Sequence, residues 1–540
     1  MGYEVTGYAS KNQRDALSKR VKLEKRKQYG VAFPSASEQE HTLIIRFNIS
    51  PYLSNGKEER RNSVLEGLGI LCNLFDRIDR GILKIDELLS EGDIKPAPLS
   101  KFNFSFTLGF GIGFFEKLEI PDKNRPRTLK GMPDNHELGD TIPYSLMQTD
   151  FIIQLGSQKA HINRWVYQNS TALIIKKSQR GHVHRGWGHQ PKNLIDGDEV
   201  SDISTAIRGW GIIADIHSGF QRVDGRNLLG FNDGISNPNR LTNDVIWTTR
   251  DDEDSKFRDG TYMVFQKIEH DLDMWQRMEV DDQEKWIGRS KGTGLLLGTL
   301  TKDEDRKLAL DMQSEDPLIR IPAMRRWKCL YRQQQNPSTR FFDTSQVQYK
   351  NIQLECPVWS HVRKANPRQA DQVGRSTIFR RGYPYIEDTT AGKFNSGLLF
   401  ICFQRNIHNA FENIKNNFMN NKNFPTPDIR KDFNQNEKRF RHEHGRFSPE
   451  EELIISKSID SKNCVGLSKI FSNLSNSALA DSLEADTQNT GKEGLAGPSE
   501  LGVYPKGRPS LLTTLGGGYY FIPPIPNKNI SEIGKQFFIL

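Results

Sequence analysis

The chain has 540 residues, enough for two or more domains and a large hydrophobic core. A hydrophobic content of 36% and a charged content of 26% are typical of a soluble globular protein with polar loops. The net charge of +8, from 75 basic and 67 acidic residues, is only mildly basic and gives no sign of a face dedicated to phosphate or nucleic acid.

The cysteines and the apolar runs exclude several further classes. Five cysteines are present, and since none is spaced as C-x-x-C, neither a disulfide framework nor a zinc ribbon is predicted. No apolar stretch approaches the ~18 residues of a membrane span. The N-terminus contains neither an apolar signal region nor a twin-arginine signal. We therefore expect a cytoplasmic protein; secretion is the alternative if a signal has been removed.

The first half of the chain predicts alternating strands and helices. Residues 1–40 are polar and basic and predict an extension. Residues 42–49 predict a strand, residues 65–82 a helix, and residues 102–108 a second strand with clean apolar alternation. The glycine series at residues 109–113 does not match G-x-G-x-x-G, so it indicates a strand-to-helix turn rather than a dinucleotide site.

The same order of elements then recurs. Residues 150–155 predict another strand followed by a helix, and a second unit begins with a strand at residues 260–266. An amphipathic stretch follows at residues 272–286, and residues 515–524 close the unit. This order predicts an α+β fold of two ferredoxin-like domains with antiparallel sheets.

The expected boundaries are residues 41–240 and 255–530, with insertions near residues 300–350 and 413–500. A polar segment at residues 182–212 carries His182, His184 and His189. This H-x-H pattern can bind metal, but no acidic or cysteine partner lies in the row, so a surface loop is favoured.

One string carries a candidate acid. Asp233 lies between Gly230 and Gly234, and glycine allows positive φ or a close approach of the backbone to a flat ligand. Asn237 and Pro238 end the string, which is longer than an ordinary aspartate turn requires. We therefore expect Asp233 to present its carboxylate for chemistry.

A second segment carries a candidate metal ligand. His361 is followed by Arg363, Lys364 and Arg368. A neutral imidazole is a common axial donor to haem iron. Guanidinium groups pair with carboxylates in two-point geometry, as two haem propionates would require.

A third segment contains the paired arginines Arg380 and Arg381, followed by Tyr383 and Tyr385. In this order, the three segments resemble the dye-decolourising peroxidase family, whose signature is a G-x-x-D-G turn, a H-x-R segment and R-R-G-x-x-Y. The resemblance is strong over residues 218–410, weaker over residues 41–170, and also covers the last dozen residues before Pro524. It implies two ferredoxin-like domains, with haem b held mainly by the second.

The resemblance also implies roles for single residues. His361 would be the axial ligand of the haem iron, and either Arg363 or Arg368 would hold a propionate. Gly234, Asn237, Leu398 and Phe400 would complete the cofactor contacts, although the apolar run around Leu398 is equally typical of a buried strand.

Asp233 would move a proton between the oxygens of hydrogen peroxide, and Arg380 would stabilise the developing negative charge, with Arg381 as the alternative. A carboxylate in this role implies activity skewed to acid pH. The expected partners are hydrogen peroxide and small dye-like or phenolic electron donors. Tyr383, Tyr385 and Trp359 are either electron relays or core packing.

Two other functions share some of these features. A non-catalytic haem-binding or haem-iron handling protein would need His361 and cations but no distal acid and arginine. An RNA-binding module would need an aromatic-rich strand of the R/K-G-F-x-F kind, which is absent. Cys356 as a thiolate ligand is disfavoured because its surroundings match a histidine-ligated family. The sequence leaves the oligomeric state open.

Overall fold

A computed structural model gives the fold. It describes residues 26–34, 38–51, 53, 56–87, 95–133, 148–174, 210–222, 224–232, 237, 243–335, 356, 360–365, 376–388, 394–419, 512–526 and 529–538. The strands in these ranges are His41–Ile49 (β1), Lys84–Glu87 (β2), Lys95–Pro98 (β3), Ser105–Phe110 (β4), Phe151–Ser157 (β5), Gly211–Phe220 (β6), Thr261–His270 (β7), Phe379–Arg380 (β8), Tyr383–Asp388 (β9), Phe394–Gln404 (β10) and Leu512–Ile522 (β11).

The helices in the same ranges are Lys57–Asp79 (α1), Ile112–Lys117 (α2), Ala160–Ile174 (α3), Asn243–Ile246 (α4), Leu272–Arg277 (α5), Val280–Ile287 (α6), Lys302–Gln313 (α7), Pro317–Gln335 (α8), His361–Ala365 (α9) and a π helix, His408–Met419. None of these helices is long and apolar enough to cross a membrane.

One antiparallel sheet contains both halves of the chain. Its order is β6-β1-β5-β4-β11-β7-β10-β8, with β9 also paired to β10. The main strands of the first half are, in chain order, β1, β4, β5 and β6, and those of the second half are β7, β8, β10 and β11. In each half the fourth of these strands lies beside the first, and the third lies between the first and the second. This is the ferredoxin-like arrangement. The predicted α+β class with antiparallel sheets is therefore confirmed, whereas the predicted domain boundaries stay a prediction.

The two halves join at the centre of the sheet. A single pair, Phe521 and Phe110, connects β11 to β4. Gln28 reinforces the joint, because its side-chain amide donates to the carbonyl oxygens of Leu108 at 3.1 Å and of Pro523 at 3.0 Å. Residues 26–34, expected to lie in an extension, thus belong to the fold.

The sheet has a helix-covered face and an inner face, and strand alternation decides which residues occupy each. Phe47, Phe110 and Phe151 lie on the helix-covered face and form part of the largest hydrophobic cluster. Phe265 and Ile401 lie on the inner face, in a second cluster.

Buried charges lie on the inner face. The Arg46 guanidinium donates to Asp215, with Nε 2.7 Å from Oδ1, and stands 5.3 Å from the ring of Phe265 across the core. Lys267 Nζ lies 2.7 Å from Glu387 Oε2. Burial alone would raise the pKa of Asp215, but the charges of Arg46 and His217 hold it below its usual range. On the inner face, the buried charges of Arg46 and Lys267 are therefore each paired with a buried carboxylate.

The predicted elements mostly appear, with shifted limits. The stretch at residues 272–286 is two helices, α5 and α6, separated at Met278 and Glu279. The surface loop predicted at residues 182–212 ends in β6, which begins at Gly211; residues 182–209, with the three histidines, lie outside the described residues. The charged insertion near residues 300–350 contains α7 and α8, and α7 begins with a capping box between Thr301 and Glu304.

Candidate functional site

The helix-covered face of β10 carries two of the predicted cofactor contacts. Leu398 is paired with Ile268 of β7, and Phe400 with Gln266, so these side chains share one face. Both are only partly buried. The ring of Phe400 lies 5.9 Å from that of Phe411 in the π helix. Leu398 and Phe400 therefore form an apolar wall beneath the helices.

Arg380 lies on the same face. It pairs with Cys402, which follows Leu398 and Phe400 in the alternation of β10. Burial raises the pKa of the Cys402 thiol and the charge of Arg380 opposes that rise, which indicates that the guanidinium is nearby. Arg380 is partly buried and stands at the edge of the apolar wall.

Arg381 points to the inner face, where both terminal nitrogens of its guanidinium are hydrogen-bonded. Its guanidinium donates to the carbonyl oxygens of Gly30 at 3.0 Å and Pro34 at 2.7 Å, and to the side chain of Gln39. Its 2% exposure leaves it buried among these acceptors. Of the two arginines that the sequence offered, Arg380 is the one on the face of Leu398 and Phe400.

His361 is the first residue of α9, which packs on α6 and the π helix. The neighbouring Val362 packs in a hydrophobic cluster with Trp286 of α6 and Ile268 of β7. Since Ile268 shares its face with Leu398, α9 lies over the helix-covered face. The imidazole of His361 is partly buried.

A glycine makes the close packing of α9 possible. Gly288 ends α6 with φ +88°, and a Cβ there would stand 2.4 Å from Val362 Cγ2 and 2.6 Å from Ser360 Oγ. The buried Cys356 thiol donates to the Gly288 carbonyl oxygen at 3.4 Å and lies 3.4 Å from Ser360 Oγ. Cys356 therefore belongs to the packing beneath α9.

Asp233 and Gly234 lie outside the described residues, but the chain is anchored on both sides of them. Before them, Asn232 forms a bridge with Arg226. The guanidinium of Arg226 donates to the carbonyl oxygens of Gly230 at 2.7 Å and Gly292 at 3.2 Å. Gly230 has φ +89°, the left-handed region that glycine tolerates.

After them, Asn237 is held by Arg380. The Asn237 carboxamide donates from Nδ2 to the Arg380 carbonyl oxygen at 2.8 Å, and its Oδ1 accepts from the Arg380 amide nitrogen at 2.9 Å. The string that contains Asp233 thus meets the strand that contains Arg380. The predicted contact of Asn237 with the cofactor stays a prediction.

The other predicted residues divide into two groups. Arg368 and Trp359 lie outside the described residues, as does the side chain of Arg363, whose backbone is part of α9. Tyr383 and Tyr385 are fully buried and belong to the inner-face cluster, on the opposite side of the sheet from Leu398. Their proposed relay role is untested.

Sequence reasoning missed one neighbour of Arg380. Burial raises the pKa of Tyr331 in α8 to about 12, and the charges of Arg289 and Arg380 oppose that rise. The ring of Tyr331 stacks on Trp327 with centroids 4.8 Å apart, and Trp327 Nε1 donates to the Thr293 carbonyl oxygen at 2.9 Å. The capping signature at Thr301 could have predicted α7, but no local pattern indicates where α8 packs.

Taken together, the chain is an α+β protein with a ferredoxin-like sheet in each half and a candidate site on the helix-covered face of the second. Residues 224–435 match the family model described as "Dyp-type peroxidase, C-terminal". The whole fold is similar to that of an ancestral D-type dye decolorizing peroxidase, with a TM-score of 0.52, 18% identity and coverage of 94% of this chain and 98% of that one. Residues 224–435 are thus similar to the C-terminal part of Dyp-type peroxidases, which agrees with the resemblance carried by the motifs.

Curated relatives match a shorter stretch. A deferrochelatase of Escherichia coli O6:K15:H31 is 29% identical over 191 residues, which are 34% of this chain and 36% of that protein. A deferrochelatase of Shigella flexneri matches with the same identity and coverage. The match thus spans about a third of the length of these relatives.

Proposed function

We propose that this protein is a haem b peroxidase that reduces hydrogen peroxide and oxidises small organic donors in one-electron steps. The observation that carries the proposal is the placement of His361, Arg380 and the Leu398–Phe400 wall on one helix-covered face of the sheet. The match of residues 224–435 to the Dyp-type peroxidase family model supports it.

The chemistry of these side chains fits an iron porphyrin. The imidazole of His361, at the start of α9, would hold the haem iron. Leu398 and Phe400 would contact the flat, apolar macrocycle, and their partial exposure agrees with a surface meant for a ligand. Arg363 and Arg368 are the proposed partners of the propionates, with Gly234 and Asn237 as further contacts.

When bound, haem would supply the iron that binds peroxide and accepts electrons from the donor. Asp233 would take the proton from one peroxide oxygen and deliver it to the other, which requires the carboxylate to begin ionised. Arg380 would stabilise the negative charge that develops as the O–O bond breaks, since a guanidinium remains cationic at every relevant pH. Because the ordinary pKa of an aspartate is near ~3.9, we expect activity to persist well into the acid range.

A second candidate function is non-catalytic haem handling, and the names of the curated relatives favour it. A carrier would need an iron ligand and propionate partners, whereas a peroxidase would also need a cation held in a fixed place. The anchoring of Arg380 by Asn237 therefore favours catalysis.

The test is an optical titration of the purified protein with haem, followed by hydrogen peroxide. We expect a histidine-ligated ferric spectrum that changes on addition of peroxide, and turnover of a phenolic or dye donor. His361→Ala should lose or loosen haem. Asp233→Asn should keep the haem and slow the reaction with peroxide by about 100- to 10,000-fold.

The outcomes separate the two functions. Tight haem binding without turnover, and with no effect of Asp233→Asn, would support haem handling and overturn the peroxidase assignment. Full haem affinity in His361→Ala would overturn the ligand assignment. His408→Ala is a matched control, because His408 lies in the neighbouring π helix with a largely exposed side chain, paired with Glu412 at 3.4 Å.

A further inference from the structure

The strand that carries Arg380 lies at an edge of the sheet. Phe379 and Arg380 form β8, and its described strand neighbour is β10. The Arg381 amide donates to the Ile401 carbonyl oxygen of β10 at 2.7 Å. Because successive residues of a strand direct their backbone groups to alternate sides, the N–H and C=O of Arg380 face away from β10.

The outward-facing backbone groups of this segment are bonded by side-chain amides. The Asn237 carboxamide bonds both the N–H and the C=O of Arg380, as a neighbouring peptide group would in a sheet. Two residues further along, Gln221 Nε2 donates to the Gly382 carbonyl oxygen at 2.9 Å. Both amides come from the segment that follows β6, in the other half of the chain.

We propose that Asn237 is a positioning residue, which fixes the place of the Arg380 guanidinium by holding its backbone and ties that residue to the string containing Asp233. The proposal rests on the proposed function, since Arg380 needs a fixed place only if charge develops beside it. Two hydrogen bonds to one residue restrain both its distance and its orientation, whereas one bond would leave rotation about the contact.

The first experiment measures fluoride binding to the haem-loaded ferric protein, because a nearby guanidinium donor stabilises bound fluoride. We expect Asn237→Ala to weaken fluoride affinity about tenfold, as for one lost charge-assisted hydrogen bond. In the Arg380→Leu background, the same substitution should have no further effect, since the two residues act as a unit. An equal weakening in both backgrounds would overturn the proposal.

The second experiment needs no haem. In the cofactor-free protein, hydrogen exchange at the Arg380 amide should be at least tenfold faster in Asn237→Ala than in the wild type, because its acceptor is lost. Unchanged exchange would overturn the proposal whatever the fluoride result. If the protein failed to bind haem, the proposed function would fall, and this measurement would still decide whether Asn237 restrains Arg380.

Gln221→Ala is the matched control. It removes an amide from the same edge, with similar partial burial, but one that bonds Gly382 rather than Arg380. We expect wild-type fluoride affinity and wild-type exchange at the Arg380 amide in this variant. An effect equal to that of Asn237→Ala would show general loosening of the edge and would overturn a specific role for Asn237.

Discussion

Arg380 and Arg381 are neighbours in the chain, yet the pleat of the strand places them on opposite faces of the sheet. Arg381 is buried with its guanidinium donating to carbonyl oxygens and to Gln39, beside a face where Arg46 is paired with Asp215. Arg380 is partly exposed beside the apolar wall. The contact between Arg380 and Asn237 is made by the backbone of Arg380. Arginine thus stabilises the fold on the inner face, whereas on the helix-covered face we propose that it serves the peroxide chemistry.

The strongest test of this contrast is Arg381→Ala. Removing the guanidinium would leave buried acceptors without a donor, so we expect the free energy of unfolding to fall by about 3–5 kcal/mol. Chemical unfolding followed by fluorescence measures this loss. A change below about 1 kcal/mol would show that the hydrogen bonds of Arg381 to Gly30, Pro34 and Gln39 contribute little to stability.

Arg380→Leu should give the opposite pattern. We expect kcat/KM for hydrogen peroxide to fall by about 100- to 1000-fold, because a charge-stabilising donor is lost. The unfolding midpoint should stay near that of the wild type, since a leucine suits the partly apolar surroundings. Activity is measured on haem-loaded protein and unfolding on the same preparation. A large loss of stability with little loss of rate would reverse the roles of the two arginines.

Two buried carboxylates sharpen the contrast between the faces. On the inner face, cations hold the pKa of Asp215 low. On the helix-covered side, Glu253 is buried beside the hydroxyl of Tyr262 and accepts from the Arg127 amide nitrogen at 3.1 Å. Burial raises the pKa of Glu253 to about 7, and the hydrogen bond from Tyr262 and the charge of Arg127 oppose that rise without cancelling it.

The pH dependence of stability follows from that shift. Between the unfolded pKa near ~4.5 and the folded pKa near 7, the folded protein keeps a proton that the unfolded chain has released. The stabilising effect of this bound proton, roughly 3 kcal/mol, is complete below the unfolded pKa and is lost as the pH rises through the folded pKa. We expect Glu253→Gln to remove this decline when unfolding is measured from pH 5 to pH 8. A wild-type decline that persists in the variant would assign it to another group.

The sequence singled out Arg380, Leu398 and Phe400 through their resemblance to family segments, and strand alternation then places all three on one face. Their roles stay predictions. The two-point contact of Asn237 with Arg380 was not predicted, since it joins positions far apart in the chain. Whether Asp233 lies beside Arg380 stays a prediction.

The fold was predictable wherever apolar residues alternate or recur with helical spacing. Strand β6 was missed because Asp215 and His217 occupy positions where a core strand ordinarily has apolar residues. Their burial depends on Arg46 in β1, and no local pattern indicates that partner. Residues 26–34 were predicted to lie in an extension because they follow a basic run. This short segment nevertheless packs against the sheet, and no local pattern indicates that contact.

The position of β11 has a consequence for biosynthesis. This strand comes last among the strands described, yet it lies between β4 and β7 in the middle of the sheet. A ribosome therefore makes both of its neighbours long before it makes β11, and each must keep an unsatisfied edge until then. Premature release of the nascent chain would leave two half-sheets with open edges, so truncated products should aggregate rather than accumulate as a smaller folded protein.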